Sequence, residues 1–135
     1  MSLYTIHPQI LANGREGEVK KGKKTISKLI ATERKTGKIV AVKTVGKIDN
    51  VIQKYSIATQ ISILRKTSNE HIIKLKDAFE FNDSYYIVTE LAPNGDLWAF
   101  LNKRGKLSEW STAWIAKQIL LALNHLHSAM HVVHW

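Results

Sequence analysis

At 135 residues the chain has room for one domain at most, and its 44% hydrophobic content is enough for a real core. The absence of cysteine excludes a disulfide framework and a cysteine-ligated zinc site, and it suits a reducing, cytoplasmic (intracellular) setting. A net charge of +9 raises nucleic acid or another polyanion as a partner.

The opening stretch, residues 1–18, carries no clear period and is left unassigned; nothing in it reads as a secretory signal. Thr25 to Thr32 reads as a strand. Lys35-Thr36-Gly37-Lys38 is a turn, and Ile39 to Val45 returns as a second strand, so the two make a hairpin. Much of the positive charge lies on Lys20, Lys21, Lys23, Lys24, Lys28, Arg34, Lys35 and Lys38. No aromatic residue is interleaved there to stack on bases. The run therefore reads as a solvated hairpin surface rather than a nucleic-acid face, with the phosphates of a nucleotide as a further target.

Asp49 and Asn50 can cap a helix that runs to about Lys66, with Ile57, Ile61 and Leu64 on its inward side. Gln60 lies on the same stripe and should point at the sheet. Ile72 to Phe81 and Ser84 to Leu91 form another hairpin, turning at Asn82-Asp83. A short helix follows near Asp96–Lys103. Ser108 caps a longer one from Glu109 to about His127, with Ile115, Ile119, Ala122, Leu123 and Leu126 at helical spacing. No apolar run approaches the length needed to span a membrane. The organisation is a strand-rich region with one helix, joined near residues 91–95 to a helical region. The fold class is α+β, a twisted antiparallel sheet with one helix packed on it and a helical segment after it.

Val40-Ala41-Val42-Lys43 is the most informative stretch. Alone it is an ordinary strand that ends in a lysine. Followed by Gln60-Ile61-Ser62-Ile63-Leu64-Arg65, then Tyr85-Tyr86-Ile87-Val88-Thr89-Glu90-Leu91, then Pro93-Asn94-Gly95-Asp96-Leu97, it resembles the N-terminal lobe of a eukaryotic-type protein kinase. The later Gly105-Lys106-Leu107-Ser108-Glu109 adds a likeness to the serine/threonine, calcium/calmodulin-kinase-related branch. On that resemblance residues 1–135 are a partial kinase domain, with a small lobe over about 15–91 and the hinge and start of the large lobe over 92–135.

The resemblance implies an ATP site between a small sheet and a helical lobe, where catalysis is mostly positioning and charge neutralisation. Lys43 matches the strand lysine that clamps the phosphates, and Ala41 the small residue over the adenine. Gln60 stands where the family carries the glutamate that pairs with the lysine; an amide can hydrogen-bond an ammonium but cannot neutralise it. Thr89 falls beside the adenine pocket. Glu90 and Ala92 match the hinge, where backbone groups read the adenine edge. Asp96 matches the residue that accepts from the ribose hydroxyls, and it is equally suited to the first turn of a helix. Two registers compete for the phosphate-covering glycine loop. One uses Ala12, Gly14, Gly17 and Val19 but leaves too much chain before Lys43. The other uses Gly22, Lys24, Ser27 and Leu29, fits the strand spacing better, and is preferred.

His131-Val132-Val133-His134-Trp135 resembles the approach to the family's His-Arg-Asp, with His134 as its histidine and Trp135 in the arginine's place. The catalytic aspartate and the magnesium-binding residues have no counterpart among the 135 residues. The implication is an ATP-binding portion of a serine/threonine-type kinase, inactive as it stands, with magnesium used only in a complete domain. Its partners would be ATP and a protein substrate or protein partner, without a membrane. A non-catalytic, pseudokinase-like interaction module or truncated product is the alternative, favoured by Gln60. A polyanion-binding basic domain is a third reading. The six histidines form no metal site; His125, His127, His131 and His134 cluster in sequence, but their spacing lacks a carboxylate partner.

Overall fold

The computed structural model describes residues 3–12, 26–46 and 51–132. Five strands form one antiparallel sheet: β1 (Tyr4–Ala12), β2 (Ile26–Glu33), β3 (Ile39–Val45), β4 (Leu75–Phe81) and β5 (Ser84–Glu90), in the order β1-β2-β3-β5-β4. Three helices accompany them: α1 (Val51–Lys66), α2 (Leu97–Arg104) and α3 (Glu109–Met130). The α+β class expected from the pattern is what the chain adopts. No helix among the described residues is long and apolar enough to cross a membrane.

The chain divides into two compact units. The first takes residues 1–65 and 75–91, and the second takes residues 66–74 and 92–135. Within the first unit, β3 is central because its apolar residues serve both faces. Val40 and Val42 join Ala31 and Val88 in a cluster on one face, with Tyr4, Ile6, Phe79 and Tyr86 packed against it. Val45 turns to the other face, where it meets Ile87 and Ile57 of α1, flanked by Ile61, Leu75 and Tyr85. Alternation of side chains along a strand produces this division.

Two turns fix the registers. At the first, the Glu33 N–H donates to the Lys38 carbonyl (2.9 Å) and the Gly37 N–H to the Glu33 carbonyl (2.8 Å). Gly37 has φ 71°, a region that glycine enters without a steric penalty. At the second, Asn82 and Asp83 both have positive φ (47° and 55°), the pattern of the tight hairpin turn that suits strand twist.

One element carries no legible period in the sequence. β1 occupies Tyr4–Ala12 although Pro8 interrupts it, and its pairing with β2 shifts register between Ile6 and Ile10 and again between Ile10 and Ala12. Proline is tolerated because β1 is an edge strand. Side chains fasten the strand: His7 Nε2 lies 2.8 Å from Thr32 Oγ1, and Arg34 Nε donates to Thr5 Oγ1 at 3.0 Å. The two ends of the strand order also meet. Tyr4 of β1 stacks on Phe79 of β4 (6.3 Å between centroids), and Phe79 stacks on Tyr86 of β5 (5.1 Å). The sheet is therefore curled rather than flat.

In the second unit, Asp96 caps α2 by accepting the Ala99 N–H at 2.7 Å, and Ser108 caps α3 by accepting the Ser111 N–H at 3.1 Å. Gly105 (φ 76°) ends α2 and donates to the Leu101 carbonyl at 2.7 Å. Leu97, Leu101, Leu107, Ile115 and Ile119 line a groove of about 330 Å³. No residue of α2 or α3 is buried.

Candidate functional site on the sheet

The register of β2, β3 and β5 decides which residues share the face that carries α1. Ala41 lies between Ile30 of β2 and Thr89 of β5, and Lys43 lies between Lys28 and Ile87. Opposed residues of antiparallel strands keep their side chains on one face. Val45, two residues beyond Lys43, belongs to the cluster with Ile57 of α1, so Ala41 and Lys43 occupy the face that α1 covers in part. Ala41, Lys43 and Thr89 are thus brought together, each half-buried. The group presents a small apolar patch beside an ammonium and a hydroxyl.

Leu29 is not part of that group. It pairs with Val42 and shares the opposite face, on the side of the Ala31–Val40–Val42–Val88 cluster. The residues that do face Ala41 and Lys43 from β2 are Ile30 and Lys28. Motif spacing counted from Lys43 passes over them. The signal that finds them is the turn: counting outward from the Glu33–Lys38 pair places Lys28 opposite Lys43.

Gln60 does not point at the sheet as expected; its side chain is exposed. Ile57 is buried, and Ile61 and Leu64 are half-buried. At about 100° per residue, Gln60 falls roughly 60° to one side of Ile57, on the flank of the inward stripe rather than its centre. Among the described residues, the side chain of Lys43 makes no ion pair or hydrogen bond.

Gly22 lies outside the described residues, as do Gly14, Gly17, Lys24, His134 and Trp135 and the capping residues Asp49 and Asn50. What the strands show is that β1 ends at Ala12 and β2 begins at Ile26, so the connection between them spans residues 13–25. Ser27 and Leu29 belong to β2.

Glu90 ends β5 opposite Val40. Ala92 and Asp96 fall in the second unit, both exposed. The Asp96 carboxylate caps α2 from the residue before the helix rather than standing in its first turn, which holds no acidic residue. Among the described residues, no group of three or more histidine or acidic side chains is placed to hold a metal ion.

Comparison with known proteins agrees with the fold. The family model described as the protein kinase domain matches residues 9–135. The chain is 31% identical over 125 residues, 93% of its length, to serine/threonine-protein kinase RAD53 of Saccharomyces cerevisiae. It is 33% identical over 134 residues, 98% of its length, to calcium-dependent protein kinase 5 of Plasmodium berghei. It is 31% identical over 121 residues, 88% of its length, to NUAK family SNF1-like kinase 1 of Mus musculus. The chain spans only 14%, 22% and 17% of these relatives respectively. A crystal structure of Rad53 1-466 in complex with AMP-PNP matches 98% of this chain and 32% of that one, with TM-score 0.79 and 28% identity.

Proposed function

Because the chain belongs to the protein kinase domain family, we propose that it is the ATP-binding portion of a serine/threonine-type kinase of the calcium/calmodulin-kinase-like branch. The observation that carries the reading is the shared face of Ala41, Lys43 and Thr89. Adenine would lie against Ala41 with Thr89 beside it, and the phosphates would extend toward the Lys43 ammonium. Lys43 would bind and orient them by charge, the main contribution a protein makes to phosphoryl transfer. The backbone at Glu90 and Ala92 would read the adenine edge, and Asp96 would accept from the ribose. In a complete domain the γ-phosphoryl group would pass to a protein hydroxyl. The likeness to a calcium-dependent protein kinase supports the branch, and the lack of cysteine supports a reducing, intracellular setting.

ATP is used with magnesium in this family. Among the described residues no group of three or more histidine or acidic side chains is placed to hold a metal ion, and no step is routed through magnesium here. The 135 residues also lack a counterpart of the aspartate that orients the acceptor hydroxyl. The chain by itself should therefore bind nucleotide without transferring phosphate to peptides. Peptide phosphorylation that survives purification and vanishes on Lys43→Met would overturn this.

The exposed Gln60, in place of a carboxylate directed at Lys43, favours a second reading: a non-catalytic interaction module that binds a protein partner. Titration with a fluorescent ATP analogue separates the two. Saturable binding that Lys43→Met abolishes supports the nucleotide site. No binding by the wild-type chain replaces it with the interaction module.

A further inference from the structure

Resting on the reading that this sheet face takes a nucleotide, we propose that Lys28 is a second phosphate-binding residue, acting with Lys43 as a cross-strand lysine pair. The two are direct partners in the β2–β3 ladder, so their side chains leave the same face side by side. Like charges placed directly opposite each other in this way repel and weaken the hairpin. Among the described residues, neither lysine side chain makes an ion pair or hydrogen bond that would offset the repulsion. A bound polyanion would remove it.

The neighbouring pair on the same face gives the ligand its second half. Ile30 opposite Ala41 is apolar, and the lysine pair comes next along the strands, roughly 6.6 Å away at two residues of rise. Ile87 and Thr89 of β5 continue the same two rows. An apolar row thus adjoins a doubly cationic one. A molecule with a flat, weakly polar base at one end and a phosphate chain at the other matches that order. Lys28 is exposed and Lys43 half-buried, so the two ammonium groups would reach the phosphates from the solvent side and from the sheet side.

The test measures displacement of a fluorescent ATP analogue from the full chain by adenosine, ATP and inorganic tripolyphosphate. Thermal melting with and without tripolyphosphate is followed in parallel. Lys28→Gln should weaken ATP about threefold to fivefold, the range of an exposed ion pair, and leave adenosine unchanged. Lys28→Arg should restore ATP binding. Unchanged ATP affinity in Lys28→Gln, with loss in Lys43→Gln, overturns the role of Lys28 while leaving the nucleotide site intact. Equal weakening of adenosine and ATP marks a packing defect and also overturns it. If the wild-type chain ignores ATP but is stabilised by tripolyphosphate in a manner lost in Lys28→Gln, the lysine pair stands and the nucleotide reading falls. No response to either ligand overturns both.

Discussion

Tyr4 joins the two edges of the curled sheet through its ring and its hydroxyl, which donates to Asp77 Oδ2 at 3.5 Å. Burial raises its pKa above the ordinary 10.0, and the nearby charges of Asp77 and Glu33 raise it further. The folded state therefore holds this proton more tightly than the unfolded chain does. The resulting stability is present in full below pH 10 and is lost as pH rises through the raised folded pKa. Tyr4→Phe should flatten the alkaline limb of a stability–pH profile relative to wild type, as read by urea unfolding from pH 8 to 11. At Gln60 the exposed side chain limits what a carboxylate can add. Gln60→Glu supplies an exposed ion pair at best, worth about 0.2–1 kcal/mol, so ATP-analogue affinity should change by less than about fivefold. A larger gain would mean that α1 turns its flank inward when nucleotide binds.

Caps set the strength of the helices in the second unit, where burial contributes little. Asp96→Ala removes the acceptor of the Ala99 N–H and should cost about 1 kcal/mol in chemical denaturation, whereas Asp96→Ser, which can still cap, should cost only a few tenths. A fall in nucleotide affinity in Asp96→Ser would then report contact with the ribose, because the cap is retained. Elements with strong local signals are legible in the sequence: the Thr36-Gly37 and Asn82-Asp83 turns, the cap Ser108, and the β-branched run of β3 all stand where read. β1 is not, because Pro8 and two register shifts erase its alternation. The face of Leu29 is not legible from motif spacing either. A one-residue slip exchanges every side chain between the two faces of a strand, and the slip here exchanges Leu29 for Lys28 beside Lys43. For Gln60 a spacing of three from Ile57 reads as the same stripe, yet the helix turns it just far enough aside to meet solvent.

At the scale of the whole molecule, apolar surface is distributed unevenly. Trp110 is 76% exposed, Trp114 55% and Leu120 63%, and α2 adds Trp98 at 61%. Exposed apolar side chains of this size favour association. The 135-residue chain should sediment as an oligomer, or as a monomer with a broad, low-temperature melt. A sharp, cooperative melt from a monodisperse monomer at high concentration would contradict this. Trp110→Ser with Trp114→Ser should shift the distribution toward monomer. The sheet constrains what form such association takes. Strand-on-strand growth needs a straight edge with free N–H donors. At one edge, β1 contains Pro8, which has no N–H, and it is kinked by two register shifts; at the other, β4 carries its own shift between Leu75 and Asp77. Tyr4 and Phe79 also draw the two borders toward one another. Assemblies of this chain should accordingly be glued through indole and leucine side chains rather than stitched by backbone. They should dissolve in mild detergent, leave the infrared amide band of the native sheet unaltered, and fail to seed fibres.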